Sequence, residues 1–502
     1  MNFVFISPHF PENYWNFCDR LRANGVNVLG IGDAPYETLP ALLKSALTEY
    51  YRVDNMENYD EMLRAMGFFT FKYGKIDWVE SNNEYWLEQD ARLRTDFNIT
   101  TGIKSAEIEK FKRKSVMKTY YQKAGIPTAR WCVTADVTEA QAFAKTVGWP
   151  VIAKPDNGVG ANGTHKFKNK TELNKFFQQE GPNAANYILE EFVDGEIVTF
   201  DGVADANAEP IYAASHVTPD SIMEIAHGKK PMWYYVAPEI SPELRKMGEA
   251  ALKAFGAKSR FFHLEFFRLK TAKPSLGNAG DILGLEVNMR PAGGYTVDML
   301  NYAGGLDLYQ IWADMVAFGA AHHPLARYHR YCCCAGRHDK LRYRMPHEEL
   351  LKKYRSCLNA APRLPEVLAR EMGDQLYIAS FEDEAAMQAA AQQFVGTHDF
   401  LALCAAGSSA AAHGDTVRTI TDCHVTRRGD EVDIEVTADG YLYNMVRILA
   451  GTLCEVGAGR LRAEDIPAIL ASRDRSRAGP TLPAKGLFLK CVEYPERKEE
   501  QL

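Results

Sequence analysis

The sequence predicts a multidomain protein of the α/β and α+β classes. Three observations carry that prediction. A strand–helix–strand run opens the chain. A glycine-rich loop set between two strands follows near residue 158. Fresh β patterning and a long apolar helix return after residue 395. With 502 residues the chain has room for about three domains.

The opening is read first. "NFVFI", residues 2–6, makes a short strand, "NYWNFCDRLRANG" has helical spacing and stops at Gly25, and "VNVLGIG" is the next strand. This is the start of a small open α/β domain over residues 1–103. No glycine fingerprint follows the first strand, so dinucleotide binding there is not supported. "SAEIEKFKRKSVMKTYYQKAGIPTARW" predicts one helix from an N-cap at Ser105 to a stop at Gly125-Ile126-Pro127. Strands and helices then alternate through residues 104–325. Residues 326–386 form a smaller α/β appendix. Residues 387–495 carry the C-terminal α+β pattern, with a helix expected over 441–455.

Composition excludes several classes. The chain is 46% hydrophobic and 25% charged with a net charge of −7, which gives no global signal for nucleic acid or an anionic membrane. No apolar run reaches the roughly 20 residues of a membrane span. The N-terminus has no basic n-region and reads as a strand, not a signal peptide. The ten cysteines include no CxxC pair, and three adjacent ones at 332–334 would alternate across a strand, so reduced structural thiols in a cytoplasmic protein are expected.

"VIAKPDNGVGANGTHKF" is the most informative stretch. Gly158, Gly160 and Gly163 fit GxGxxG, but a strand follows where a dinucleotide fold needs a helix. The segment therefore reads as a glycine hairpin whose N–H groups can close over phosphates, with Lys154 on the leading strand as a point charge. Glu190 and Glu191 end a strand about 30 residues later, where a hinge could meet adenine and ribose. "FHLEFFRL" sets Glu265 among aromatics, with His263 read as a core-facing strand histidine. In "ILGLEVNMRPAGG", Glu286, Asn288 and Arg290 alternate and so face one side of a strand. Two carboxylates and an amide oxygen are hard ligands that suit Mg²⁺ bridged to phosphates. Arg290 would hold a carboxylate or phosphate.

Over residues 1–385 this set resembles the ATP-grasp superfamily. The resemblance implies that Lys114 and Lys154 are its two phosphate lysines. It makes Glu191 and Glu196 nucleotide-contacting hinge residues, and Glu265, Glu286 and Asn288 the metal ligands. ATP and Mg²⁺ are then the implied cofactors. A substrate carboxylate would be phosphorylated to an acylphosphate, and an amine or similar nucleophile would attack it.

Four blocks in order, "FVGTHDFLAL", "TVRTI", "GYLYNMVRILAGTLCEVGAGRL" and "RDRSRAGPTLPAKGLFL", resemble the C-terminal half of TruA-type tRNA pseudouridine synthases. In that family the arginine matching Arg447 lies beside a catalytic aspartate from the N-terminal half, in a pattern like R-T-D-x-G-V-H. The only "RTD" here, Arg94-Thr95-Asp96, lacks the glycine and histidine and is read as coincidence. Arg447 is expected to pair locally with Asp399 or Asp439, or with a second protein. From residue 387 on, 13 basic residues stand against 16 acidic ones, net −3, a weak charge for RNA.

Three functions stay open at this point. The first is an ATP-grasp ligase with an appended pseudouridine-synthase-like domain. The second is an RNA-modifying protein, with tRNA as partner, in which the ATP-grasp part is accessory. The third is a non-catalytic binding protein. Small-molecule carboxylates and amines are the expected partners, no membrane is, and a homo-oligomer is left open.

Overall fold

A computed structural model gives the fold. It describes all residues except 159–162, 221–231, 326–329, 356, 382–383, 406, 429–430, 459 and 493–502. The chain forms two compact units, residues 1–380 and 381–502. Among the described residues no helix is long and apolar enough to cross a membrane.

The first unit holds three sheets. Strands β1 (Asn2–Ile6), β2 (Asn27–Gly32), β3 (Glu49–Arg52) and β4 (Trp78–Glu80) form a parallel sheet in the order β3-β2-β1-β4. Every residue of Phe3–Ile6 is buried, because a parallel sheet is covered on both faces. Phe3 and Phe5 lie in one apolar cluster and Val4 and Ile6 in another, as period-two alternation requires.

Strands β5 (Trp131–Val133), β6 (Val151–Pro155), β7 (His165–Phe167) and β8 (Tyr187–Glu191) make a second, antiparallel sheet in the order β5-β8-β6-β7. The hairpin expected between β6 and β7 is present as a strand pair. Gly160 lies outside the described residues.

The third sheet has eight strands: β9 (Gly195–Ala204), β10 (Pro210–Thr218), β11 (Trp233–Ala237), β12 (Arg260–Leu269), β13 (Ile282–Asn288), β14 (Tyr331–Arg337), β15 (Leu358–Ala360) and β16 (Gln375–Phe381). Their order is β13-β12-β9-β10-β11-β14-β16-β15. Strands from the 326–386 span thus extend the central sheet. On β14, Cys332 and Cys334 are buried while Cys333 is half-buried, and all ten cysteines are free thiols.

One expected element breaks. Between Ser105 and Lys123 the chain forms a 3₁₀ turn at Ser105–Glu107, a short helix Glu109–Lys112, and a separate helix Lys114–Lys123. Arg113 between them is extended, at φ −92° and ψ 117°. The cause is tertiary. Arg113 bridges to Asn157, and Lys114 N donates to Asp156 O at 2.9 Å. Ser115 donates through its backbone N and its Oγ to the Asp156 carboxylate at 2.7 and 2.8 Å. A remote carboxylate therefore takes the capping role that helix N-termini need.

The second unit carries β17 (Gly396–Asp399), β18 (Val417–Arg428) and β19 (Glu431–Ala438), antiparallel in that order. Helices Met445–Gly457 and Ile466–Ser472 cover it, burying Ile448, Leu449, Leu453, Ile466 and Ile469 with Phe394, Phe400 and Ile420. The first of these helices begins four residues later than expected, because Asn444 adopts a left-handed conformation at φ 63° and stops the backbone from continuing.

Candidate functional site

Register on the central sheet builds the site. On β12 and β13, Glu265 pairs with Glu286 and His263 with Asn288. On β9, Asp201 pairs with His263 and Thr199 with Glu265. Side chains of directly paired residues share a face, so one side of the sheet carries two glutamates, an asparagine, an aspartate and a histidine. The alternation read from Glu286 and Asn288 belongs to this face.

Three lysines meet it. Helix Lys114–Lys123 lies against β13, where Gly284 permits the approach. A Cβ there would sit 2.8 Å from the Tyr121 ring. Tyr121 Oη donates to Glu286 O at 3.0 Å, and Lys118 Nζ to the carbonyls of Gly284 and Leu285 at 3.4 Å each. Lys114, at the first position of this helix, lies 3.0 Å from Glu286 Oε1 and donates to Gly158 O at 2.9 Å. One turn on, Lys118 Nζ lies 3.0 Å from Glu190 Oε1, an ion pair off the line of a good hydrogen bond. Lys154 on β6 lies 2.9 Å from the other oxygen, Oε2 of Glu190.

Charge states follow from burial set against partners. Burial would raise the Glu190 carboxyl, but Lys118 and Lys154 outweigh it and hold its pKa at about 2. Burial pushes Glu286 up, against the pull of Lys114. Burial opposes the Lys114 ammonium, yet Glu286 keeps its pKa above the usual value. Lys118, fully buried, is lowered by burial in spite of Glu190. Burial likewise opposes charge on His263, but Asp201 beside it raises the ring to about 9. Glu265 is lowered: its burial is outweighed by the hydrogen bond from His263.

The remaining expected residues are placed differently. Glu191, next to Glu190 on β8, points the other way. Burial would raise it, but Arg130 at 2.7 and 3.1 Å, Lys273 at 2.6 Å and Ser275 at 2.6 Å hold it at about 2. Glu196 is held by Arg268 at 2.6 Å. Neither touches the lysine group among the described contacts. Arg290 reaches Glu84 at 2.5 Å and the carbonyl of Pro291 at 2.9 Å. Gly158 and Gly163 flank the hairpin against Pro155.

Sequence reasoning missed Lys118, Glu84, Asp156, Asp201 and His216. A signal existed for two of them: Lys118 is four residues from Lys114, hence on the same helix face, and Asp156 is two from Lys154. Glu84, Asp201 and His216 had none. The triplet Arg94-Thr95-Asp96 has a structural role. Arg94 is fully buried, donates to the carbonyls of Val79 and Ile103, and pairs with Glu80 at 2.9 Å, while Asp96 is exposed.

In the second unit the expected acid partner of Arg447 is not Asp399 or Asp439. Asp399 pairs with Arg473 and accepts from Thr416, and Asp439 accepts from Thr419 N. Arg447, half-buried, donates from Nε to Leu482 O at 2.5 Å and from Nη1 to Asn444 Oδ1 at 2.9 Å. Both of these acceptors are neutral.

Comparison with known proteins agrees with both halves of the architecture. Residues 113–256 match the carbamoyl-phosphate synthase L chain, ATP-binding domain, and residues 390–495 match the tRNA pseudouridine synthase family. An L-amino acid ligase from Bacillus licheniformis superimposes with a TM-score of 0.55 at 16% identity, over 76% of this chain and 93% of that one. A phosphoribosylglycinamide synthetase from Anaerococcus prevotii does so with a TM-score of 0.53 at 15% identity, over 76% and 93%. The biotin carboxylase domain of a Hydrogenobacter thermophilus 2-oxoglutarate carboxylase, solved with MgADP, ADP and bicarbonate, has a TM-score of 0.54 at 16% identity, over 93% and 98%. The first unit therefore has the ATP-grasp fold.

The chain is also similar to part of tRNA pseudouridine synthase A. It is 46% identical to the Acetivibrio thermocellus enzyme over 28% of this chain and 56% of that one, and 48% identical to the Lysinibacillus sphaericus enzyme over 22% and 44%. The chain spans about half the length of these curated relatives.

Proposed function

We propose that the first unit is an ATP-dependent ligase that activates a small carboxylate as an acylphosphate for attack by an amine or similar nucleophile. The observation that carries the reading is the face on which Lys114, Lys118 and Lys154 are held by Glu190 and Glu286 beside Glu265. Its ion pairs mimic the ligand. The Glu286 carboxylate stands against Lys114 where a phosphate oxygen would, and the ammonium stands against Glu286 where a divalent cation would. Hard oxygen donors and paired lysines fit Mg²⁺-ATP.

In this reading Glu265, Glu286 and Asn288 hold Mg²⁺, which supplies charge neutralisation of the transferring phosphoryl group. Lys114, Lys118 and Lys154 bind phosphate oxygens, and the Gly158–Gly163 hairpin closes over them. Glu190 positions two of those lysines, and Glu191 and Glu196 shape the hinge near the base and ribose. Arg290 exchanges Glu84 for the substrate carboxylate or phosphate. Orientation and charge neutralisation do most of the work in such transfers. The free thiols fit a reducing cytoplasm. The test is ADP release from Mg²⁺-ATP against pooled carboxylic acids and amines. Release that depends on both a carboxylate and a nucleophile, and disappears in Glu286→Gln, supports the ligase; release indifferent to either removes it.

For the second unit we propose tRNA contact without uridine isomerisation. Arg447 meets only neutral acceptors among the described residues, and an arginine cannot replace the aspartate that the resembled enzymes use at the base.

A further inference from the structure

Deep in the central sheet, on the buried part of the face just described, Asp201 on β9 is 1% exposed and accepts three hydrogen bonds. His263 Nδ1 approaches its Oδ1 at 2.6 Å, His216 Nδ1 its Oδ2 at 2.7 Å, and Thr199 Oγ1 also donates to Oδ2. The other nitrogen of the His263 ring, Nε2, lies 3.0 Å from Glu265 Oε1. The two histidines and Asp201 could be taken for a metal cluster, since their ligand atoms lie within 4.8 Å of one another. The separations argue otherwise. Ligands about 2.0–2.1 Å from one tetrahedral ion stand roughly 3.3 Å apart. Contacts of 2.6 and 2.7 Å are those of shared protons.

The chain Asp201–His263–Glu265 has a direction. Carboxylate oxygens accept hydrogen bonds and do not donate them, so each ring nitrogen of His263 donates to its carboxylate. Asp201 is buried and held by three donors. Glu265 has a side chain 23% exposed, on the open face opposite Glu286. Left alone, a glutamate facing another carboxylate would turn towards solvent. Ordering such a side chain at the moment of binding costs rotamer entropy.

We propose that Asp201 acts through His263 as a positioning residue for Glu265, locking that carboxylate in place for the divalent cation before nucleotide and metal arrive. The inference rests on the Mg²⁺-nucleotide reading above and goes beyond it, because no residue of the Asp201–His263 pair touches the ligand in that reading. A ligating carboxylate is commonly held by a hydrogen-bond partner behind it, and losing such an outer partner typically costs about 10–100-fold in metal affinity.

The experiment measures ADP binding by calorimetry to the full-length chain, in EDTA and across a Mg²⁺ titration. Wild type, Asp201→Ala and Asp201→Asn are compared. Wild type binds ADP more tightly with Mg²⁺. In Asp201→Ala the half-saturating Mg²⁺ concentration rises about tenfold while the affinity for metal-free ADP stays within about twofold. Asp201→Asn lies nearer to wild type, because its amide oxygen still accepts the Nδ1–H, and it also serves if the alanine variant does not fold. Equal loss of metal-free and metal-dependent binding would reduce Asp201 to a structural core residue and overturn the inference. So would a Mg²⁺ titration unchanged in both variants. A wild type with no Mg²⁺ increment would overturn the nucleotide reading and the inference with it.

Discussion

Glu265 and Glu286 are direct cross-strand partners on β12 and β13. Like charges so placed repel each other unless cations lie nearby. Here each has one: His263 at 3.0 Å from Glu265 and Lys114 at 3.0 Å from Glu286. These neighbours offset the repulsion in the free protein, with Arg290 adding to the pull on Glu265 and Lys154 to that on Glu286, and a divalent cation would offset it more strongly.

Removing one of the two carboxylates should therefore remove the metal response. A ligand that binds only the folded state adds RT ln(1 + [L]/Kd), about 2.7 kcal/mol at 100-fold excess. Thermal unfolding with Mg²⁺-ATP should shift upward in wild type and much less in Glu286→Gln. Identical shifts would sink the assignment of Glu286.

Lys154 has a side chain 12% exposed and, among the described residues, Glu190 as its ion partner, so its ammonium is available to phosphate. Lys154→Met keeps most of the stem. We expect nucleotide affinity to fall about 10–100-fold, the range for losing one charge-assisted hydrogen bond, with circular dichroism unchanged. Wild-type affinity in this variant would make the lysine structural.

Glu190 predicts an acid dependence. Its folded pKa of about 2 lies below the ordinary 4.5. Its stabilisation is therefore present above about pH 4.5 and is lost as pH falls towards 2, for a total of roughly 3 kcal/mol. Glu190→Gln should be less stable than wild type at pH 7, where Lys118 and Lys154 lose their counter-charge, and the gap should close in urea titrations between pH 4.5 and 2. A gap independent of pH would mean that Glu190 does not carry the charge of this cluster.

Asp156 should couple fold to site. Asp156→Ala removes the cap on helix Lys114–Lys123, a loss of about 1 kcal/mol. It also loosens Lys114 at the first turn of that helix, so ATP affinity should fall although Asp156 touches no phosphate. Loss of stability with unchanged affinity would confine Asp156 to capping.

Arg447→Ala should cost no more than about 1.5 kcal/mol, because its acceptors are a carbonyl and an amide, not a buried acid. The purified protein should release no tritium from uracil-5-³H-labelled tRNA. Robust release that disappears in Arg447→Ala would show that an aspartate reaches the base after all.

The sequence by itself determined the local devices. Alternation put Glu286 and Asn288 on one side of a strand, a strand after the glycine hairpin excluded a dinucleotide turn, and four ordered blocks marked the second unit. These are short-range properties, set by the period of two along a strand and by turn chemistry. Only the tertiary structure decided which strand faces which. Glu265 meets Glu286 across β12 and β13, Asp201 meets His263 from β9, Arg290 finds Glu84, and Asp156 interrupts the expected helix at Arg113. Arg447 shows the same division. Its sequence neighbours foretold a guanidinium that needs acceptors, but a carbonyl 35 residues away supplies one, because folding satisfies a donor with whichever acceptor packing brings near.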